Sequence, residues 1–319
     1  DDFELKPFIP DDLPYELIRC RYRNLFYRIP LYLLRTKPRC VFYSFPLLIP
    51  SLILSKLVLP GMKVVFRDCN MPSKHRKYQS YPAKYILRHA DALIAQTEEM
   101  KQEMAPFYHV HPERITVINN PIDKSVIEQS IREKYRYDAT DCVHYIAVGR
   151  ICPQKDYRTL IKAFALVLEK EPKSHLDIIG VDWDMAYRKS LDALIMQLDI
   201  GRSVTFHGFQ ENPFKYMEAA DVFVLSSVHE GLPNVMLEAM YLGKPVVVTR
   251  SIPYIAQVVH DGVNGYAVSV DGCKELAEAM IKARRLEIKE KYMDVNSNEK
   301  RIIDLFTEVL ETSRKRFTI

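Results

Sequence analysis

Short aliphatic runs alternate along the chain with stretches whose apolar positions recur every three to four residues, the signatures of buried strands and amphipathic helices. In the first half, "KVVFR" (63–67), "ALIAQ" (92–96) and "ITVINN" (115–120) predict strands. "YPAKYILRHA" (81–90) and "TEEMKQEMA" (97–105) predict helices, the second capped by Thr97 ahead of two acids. Residues 121–141 are polar and helical in pattern without a strong apolar face, and read as a connector. The alternation then restarts more clearly. "VHYIAVG", "SHLDIIG", "VTFHG", "DVFVLSS" and "KPVVVT" predict strands, and the intervening segments predict helices, one with Leu160, Ile161, Phe164 and Leu168 on one side. Such β-α alternation implies parallel sheets covered by helices on both faces. The expected fold class is therefore α/β, two Rossmann-like domains facing a cleft, over 1–130 and 131–299, with a final helix at about 300–319 packing back on the first.

The run "VFYSFPLLIPSLILSKLVLP" (41–60) approaches the ~20 residues that cross a bilayer. Pro46, Pro50, Ser51, Ser55 and Lys56 interrupt it, so a buried strand (41–45) and a short apolar core helix (50–58) are expected instead. The 319 residues are 48% hydrophobic and 27% charged, as in soluble globular proteins, and suffice for two domains. Net charge is only +4, but from Arg19 to Ala90 fifteen Lys and Arg face a single acid, Asp68. The segment "RCRYRNLFYRIPLYLLRTK" (19–37) interleaves cations with aromatic and aliphatic side chains, which suits an anionic membrane surface. No nucleic-acid recognition motif accompanies the charge, so no nucleic-acid partner is expected. Six cysteines without a CxxC pair argue against a zinc site or disulfide scaffold and fit a reducing compartment. The chain opens on "DDFELKP" without an initiator Met or signal-type segment, and reads as a piece of a longer protein.

Neither GxGxxG nor GxxxxGK[ST] occurs. In open parallel sheets ligands bind beyond the carboxyl ends of strands, which selects the loops 149–156, 180–184 and 226–233. Gly231 and Pro233 shape a tight strand-to-helix turn, whose free N–H groups suit a phosphate or pyrophosphate. Glu238, about a turn further on, can accept bonds from the vicinal hydroxyls of a ribose, and Glu230 can hold hydroxyls of a group attached to the pyrophosphate. A nucleotide diphosphate-sugar has these parts in this order. The alternative is that both glutamates only support the helix N-terminus. Arg150 and Lys155, in "GRICPQKD", add two cations at the same face, able to neutralise a leaving diphosphate.

"VGRICPQKDYRTLIKAFALV", "VTFHGFQENPFKYMEAADVFVLSSVHEGLPNVMLEAMYLGKPVVVT" and "VVHDGVNGYAV" together resemble the donor domain of family 4 retaining glycosyltransferases of the GT-B fold, over about 141–272. Over 37–123 a weaker likeness to that family's acceptor domain includes "HADALIAQTEEMKQEM" and "ITVINNPID", with Asn120-Pro121 resembling its interdomain motif.

The resemblance implies that Arg150 and Lys155 bind the donor diphosphate and that Glu230 holds the donor sugar. It implies a backbone turn beside that sugar from Gly231 through Leu232 and Pro233 to Asn234, and a ribose ligand in Glu238. Gly149 starts the cation loop, and Phe209 borders the nucleobase. No cofactor and no metal is expected, since the cations and the helix N-terminus do a metal's work. The implied reaction moves a sugar from a nucleotide-sugar, UDP-linked by expectation, to a glycan acceptor such as a lipid-linked glycan, in polysaccharide or lipopolysaccharide synthesis. The implied place is the cytoplasm, peripheral on the inner face of the membrane.

Departures from the family pattern accompany the likeness. The Gly-rich first strand-loop-helix unit has no counterpart, so the N-terminal domain is expected to be incomplete. Where many members carry a histidine, the loop reads "RDCNMPS", which makes Arg67 and Asn70 the acceptor-side candidates; His75 is out of register. Gln257 stands where an acid is common. Two rivals remain open: a nucleotide-sugar epimerase of GT-B fold, and a non-catalytic nucleotide-binding member.

Overall fold

The computed structural model describes residues 24–44, 49–69, 71–74, 87–120, 122–137, 141–289, 301, 304–305 and 307–309. Two parallel sheets carry the fold. The first has four strands in the order β1 (Cys40–Tyr43), β2 (Lys63–Arg67), β3 (Ala92–Ala95), β4 (Ile115–Val117). The second has six, ordered β10 (Gly265–Val268), β9 (Val246–Thr249), β8 (Val222–Leu225), β5 (Val143–Val148), β6 (Ser174–Ile179), β7 (Val204–Gly208).

The central strands β3, β8 and β9 are buried throughout and read as apolar runs because both faces of the sheets are covered there. Alternate residues of the second sheet, Tyr145, Leu176, Ile178, Val222 and Val224, pack with Leu160, Phe164, Leu191 and Leu276 from the helices Tyr157–Lys170, Met185–Gln197 and Cys273–Ala283. Their neighbours Ile146, Ile179, Phe223 and Leu225 meet Met217, Met236 and Leu237 from Phe214–Ala219 and Asn234–Tyr241 on the other face. In the first sheet Val64, Phe66, Leu93 and Ala95 pack with Leu33, Leu52, Met100 and Met104. Opposite them, Val65 and Ile94 meet Leu305 and Val309 from near the end of the chain. Caps set the helix starts: Thr97 accepts from Met100 N at 3.2 Å, and Asp184 from Tyr187 N at 2.9 Å.

Two expectations need correction. The helix Ile49–Val58 is only half a core helix. It buries Ser51, Leu52 and Ser55, while Leu54, Leu57 and Val58 face outward, Leu57 at 77% exposure. Ten residues packed by a single face on β2 and on the helix Leu25–Thr36 leave the opposite face uncovered. The segment read as a helix over 81–90 ends in a 3-10 turn, Leu87–His89, and residues 81–86 lie outside the described residues.

The connector is helical only over Lys124–Ser130 and lies against the second sheet's helices. Asn212 Nδ2 donates to Ser130 O at 2.9 Å, and Tyr137 Oη to Tyr216 O at 3.2 Å. Tyr137 also stacks on His144, with centroids 3.7 Å apart. His144 and His207 both contact the buried Asp177 carboxylate, at 3.1 and 2.7 Å.

Candidate functional site

Strand order lays the candidate chemistry out in a row. The carboxyl ends of β8, β5, β6 and β7 are neighbours, so Glu230, then Lys155 and Arg150, then the 180–184 loop, then Phe209 follow one another along a single sheet edge.

The tightest part joins the first two loops. Lys155 Nζ lies 2.7 Å from Glu230 Oε1, with both side chains nearly buried. Ser227 Oγ donates to the same oxygen at 2.6 Å. Both contacts are to Oε1. Backbone geometry holds the pair. Pro153 opens the 3-10 turn Pro153–Lys155, and Asp156, in the left-handed region at φ 44°, caps the next helix. Val228 N donates to Gln154 O at 2.9 Å, Gln154 Nε2 to His229 O at 3.0 Å, and Ser226 Oγ to Lys155 O at 2.8 Å. Beneath them Tyr157 Oη donates to Gly149 O at 2.8 Å. A Cβ on Gly180 would overlap that same carbonyl, so the 149 and 180 loops approach only because position 180 is glycine.

Arg150 does not join the pair. It is exposed, and its guanidinium sits 5.0 Å from the centroid of the Trp183 ring. Phe209, at the end of the row, is also exposed.

Past Glu230 the chain turns through buried Gly231, Leu232 and Pro233 into the helix Asn234–Tyr241, with Pro233 as its N-cap and no side-chain cap. The amides of Asn234 and Val235 therefore lack intrahelical acceptors. Glu238 lies half-buried within this helix, and burial pushes its carboxyl up to about 7.

The first domain meets this turn. A Cβ on Gly231 would overlap Cys69 O and crowd Gln96 Oε1, so the close approach requires glycine. Asn120 Nδ2 donates to Leu232 O at 3.4 Å and also contacts Asn234 Oδ1. Gln257 Nε2 donates to Glu99 Oε1 at 2.9 Å, a cross-domain bond. Arg67 ends β2 here, and its Nε, Gln96 Oε1 and Asn120 Oδ1 are buried without hydrogen-bond partners among the described residues. Such orphans at the ends of β2, β3 and β4 are the kind of groups a polar ligand satisfies. Asn70 lies outside the described residues, as do His75 and Pro121.

The structure thus brings together Lys155, Glu230 and Gly231, sets Glu238 a turn behind, and places Arg150 and Phe209 along the same edge. Sequence reasoning missed Ser227, Gln96 and Trp183. Of these, Trp183 carried a signal, as the only tryptophan and on a strand-end loop.

The family model for glycosyl transferases group 1 matches residues 129–301, more than half of the chain, and that for glycosyltransferase family 4 matches 9–126. The chain belongs to the glycosyl transferases group 1 family. Among curated members of the family, an uncharacterized glycosyltransferase of Methanocaldococcus jannaschii is 31% identical over 63% of this chain and 52% of its own length. The lipopolysaccharide core biosynthesis glycosyltransferase LpsE of Rhizobium meliloti is 30% identical over 63% of this chain and 56% of its own. A Campylobacter jejuni enzyme named N-acetylgalactosamine-N,N'-diacetylbacillosaminyl-diphospho-undecaprenol 4-alpha-N-acetylgalactosaminyltransferase is 26% identical over 66% and 57%. The chain spans about half the length of the curated relatives it matches.

Among solved structures, Anabaena HepE in complex with UDP and glucose superposes with a TM-score of 0.74 at 20% identity, covering 90% of this chain and 83% of its own. The lipopolysaccharide outer core galactosyltransferase WaaB gives 0.65 at 17% identity, over 90% and 80%. These likenesses assign the GT-B fold to this group 1 chain.

Proposed function

We propose that the protein transfers a hexosyl or N-acetylhexosaminyl unit from a UDP-sugar to a glycan hydroxyl with retention of configuration. The observation that carries this reading is the buried Lys155–Glu230–Ser227 cluster between strand ends, with Glu238 behind the same turn. Lys155 and Arg150 neutralise the diphosphate as the sugar C1–O bond breaks. The acceptor oxygen forms its bond to C1 on the same face, and its proton passes to the departing phosphate oxygen. No enzymic nucleophile is needed. Glu230 Oε2 orients the sugar hydroxyls, and Glu238, once ionised, accepts from both ribose hydroxyls. The cations and the amides at Asn234 and Val235 take the part a metal plays elsewhere. Phe209 borders the base, and Arg67 and Asn70 serve the acceptor. UDP is favoured over other nucleotides because HepE was crystallised with it.

A lipid-linked acceptor is favoured by the diphospho-undecaprenol in the name of the Campylobacter relative and by the lipopolysaccharide work of LpsE. It fits a protein held at the inner face of the membrane. No helix among the described residues is long and apolar enough to cross a bilayer. The paired helices Leu25–Thr36 and Ile49–Val58 instead turn Tyr27, Leu31, Leu34, Leu54, Leu57 and Val58 outward, near the exposed cations Arg28, Arg35 and Lys37. Apolar side chains among cations suit the interface of an anionic bilayer. The protein is therefore expected to co-sediment at low salt with vesicles containing phosphatidylglycerol, and Leu31→Glu with Leu57→Glu to abolish this. A wild-type protein left in the supernatant overturns the membrane reading.

The transferase reading is tested by incubating UDP-sugars with and without lipid-linked glycan acceptors from a bacterial membrane extract. UDP release that requires the acceptor, with an α-linked product from an α-linked donor by NMR, is expected. Isomerisation of the donor without acceptor would assign the protein as an epimerase instead.

A further inference from the structure

We infer that Trp183 is a positioning residue for Arg150, holding its guanidinium over the indole face so that its N–H groups stay turned to a diphosphate. The inference rests on the donor-site reading above.

Arg150 is exposed and forms no ion pair among the described residues. Left to itself, so long a side chain samples many rotamers and must be ordered each time a ligand binds. Its guanidinium carbon lies 5.0 Å from the Trp183 ring centroid, within the range where an indole face attracts a cation. A cation held by the ring face spends none of its N–H donors on the contact, so they stay available for the fork with which arginine grips two phosphate oxygens.

The backbone under the indole is fixed from both sides. Ile151 N donates to Val181 O at 2.8 Å and Asp184 N to Ile151 O at 3.2 Å, which continues the β5–β6 pairing past the strand ends around both residues. Asp184 caps the helix that follows. Asp182, the acid beside the tryptophan, lies 3.4 Å from Arg188, and Arg188 is itself stacked on Phe206 at 3.6 Å. Both carboxylates that flank Trp183 are therefore engaged elsewhere, Asp182 with Arg188 and Asp184 with the Tyr187 amide, and Arg150 rests on the ring. Trp183 is 66% exposed, so the packed core does not account for a large aromatic side chain at this position.

A double-mutant cycle on UDP affinity, measured by calorimetry, tests the inference. Trp183→Leu is expected to weaken UDP binding about three- to tenfold, with Trp183→Phe retaining most of the affinity. Uridine binding should be unchanged by either. In an Arg150→Gln background, Trp183→Leu should add nothing. Because Trp183 is the only tryptophan, its emission reports the stack directly and should change in ligand-free Arg150→Gln. Equal weakening with and without Arg150, or equal loss of uridine binding, would show that the indole acts on the base, and overturns the inference. So would UDP binding and emission that neither substitution alters. A wild-type protein that binds no nucleotide overturns the donor-site reading and this inference with it.

Discussion

Lys155→Met is expected to lower turnover by about 10²–10³-fold and to destabilise the protein by about 3 kcal/mol. The two losses have different causes. Turnover falls because a cation aimed at the developing diphosphate charge is gone. Stability falls because the Glu230 carboxylate, nearly buried, keeps only the Ser227 hydroxyl on Oε1. A double variant separates them: adding Glu230→Gln to Lys155→Met removes the stranded charge and should restore most of the melting temperature, while turnover stays low. Thermal unfolding and UDP release measured on the three variants check this. A double variant as unstable as Lys155→Met would mean that the pair is not the origin of the stability loss.

Glu238 should couple nucleotide binding to pH. In the free protein burial pushes its carboxyl up to about 7. A ribose whose two hydroxyls donate to it favours the ionised form, so binding expels a proton below that value. UDP affinity is expected to fall as pH drops below about 7, by up to tenfold per unit, and to level off above it. The stability effect has the opposite sense. The folded-state value is raised, so the folded protein holds this proton more tightly than the unfolded chain. The contribution is present below the ordinary carboxylate range and is lost as pH rises through about 7. Glu238→Gln should therefore stabilise the ligand-free protein at pH 8 by roughly 2 kcal/mol, while making UDP binding weaker and less steep with pH, with only the second ionisation of the UDP terminal phosphate left to titrate. Calorimetry and denaturant titration at pH 5.5 and 8 measure both. Wild-type affinity that does not change between these values would rule out an ionised Glu238 as the ribose ligand.

The elements set by local chemistry were legible in the sequence. Thr97 marks a helix start through its own side chain, and the strands of the second sheet announce themselves because β-branched and aliphatic residues dominate them, even though His144, Asp177 and His207 interrupt the runs. The Glu230-Gly231-Leu232-Pro233 turn was legible for a similar reason, since its geometry is written in consecutive residues. Contacts between loops were not. The Lys155–Glu230 pair spans 75 residues, and its third member, Ser227, is an unremarkable serine until the two loops are joined. The meeting of Gln96 with Gly231 depends on how two domains close, which no local pattern encodes. Arg150 was read with Lys155 because both are cations on one loop; the intervening 3-10 turn sends them different ways. The outward face of Ile49–Val58 was missed because a helix with apolar residues all round looks the same in sequence whether one face or both are covered.

Every role assigned to these loops depends on this sheet edge binding a nucleoside diphosphate. Calorimetric titration of UDP, GDP and ADP into the protein, with Glu238→Ala alongside, tests it most directly. UDP is expected to bind one to one, and the substitution to weaken it at least tenfold. Silence from all three nucleotides, or UDP binding that Glu238→Ala leaves unchanged, would contradict it.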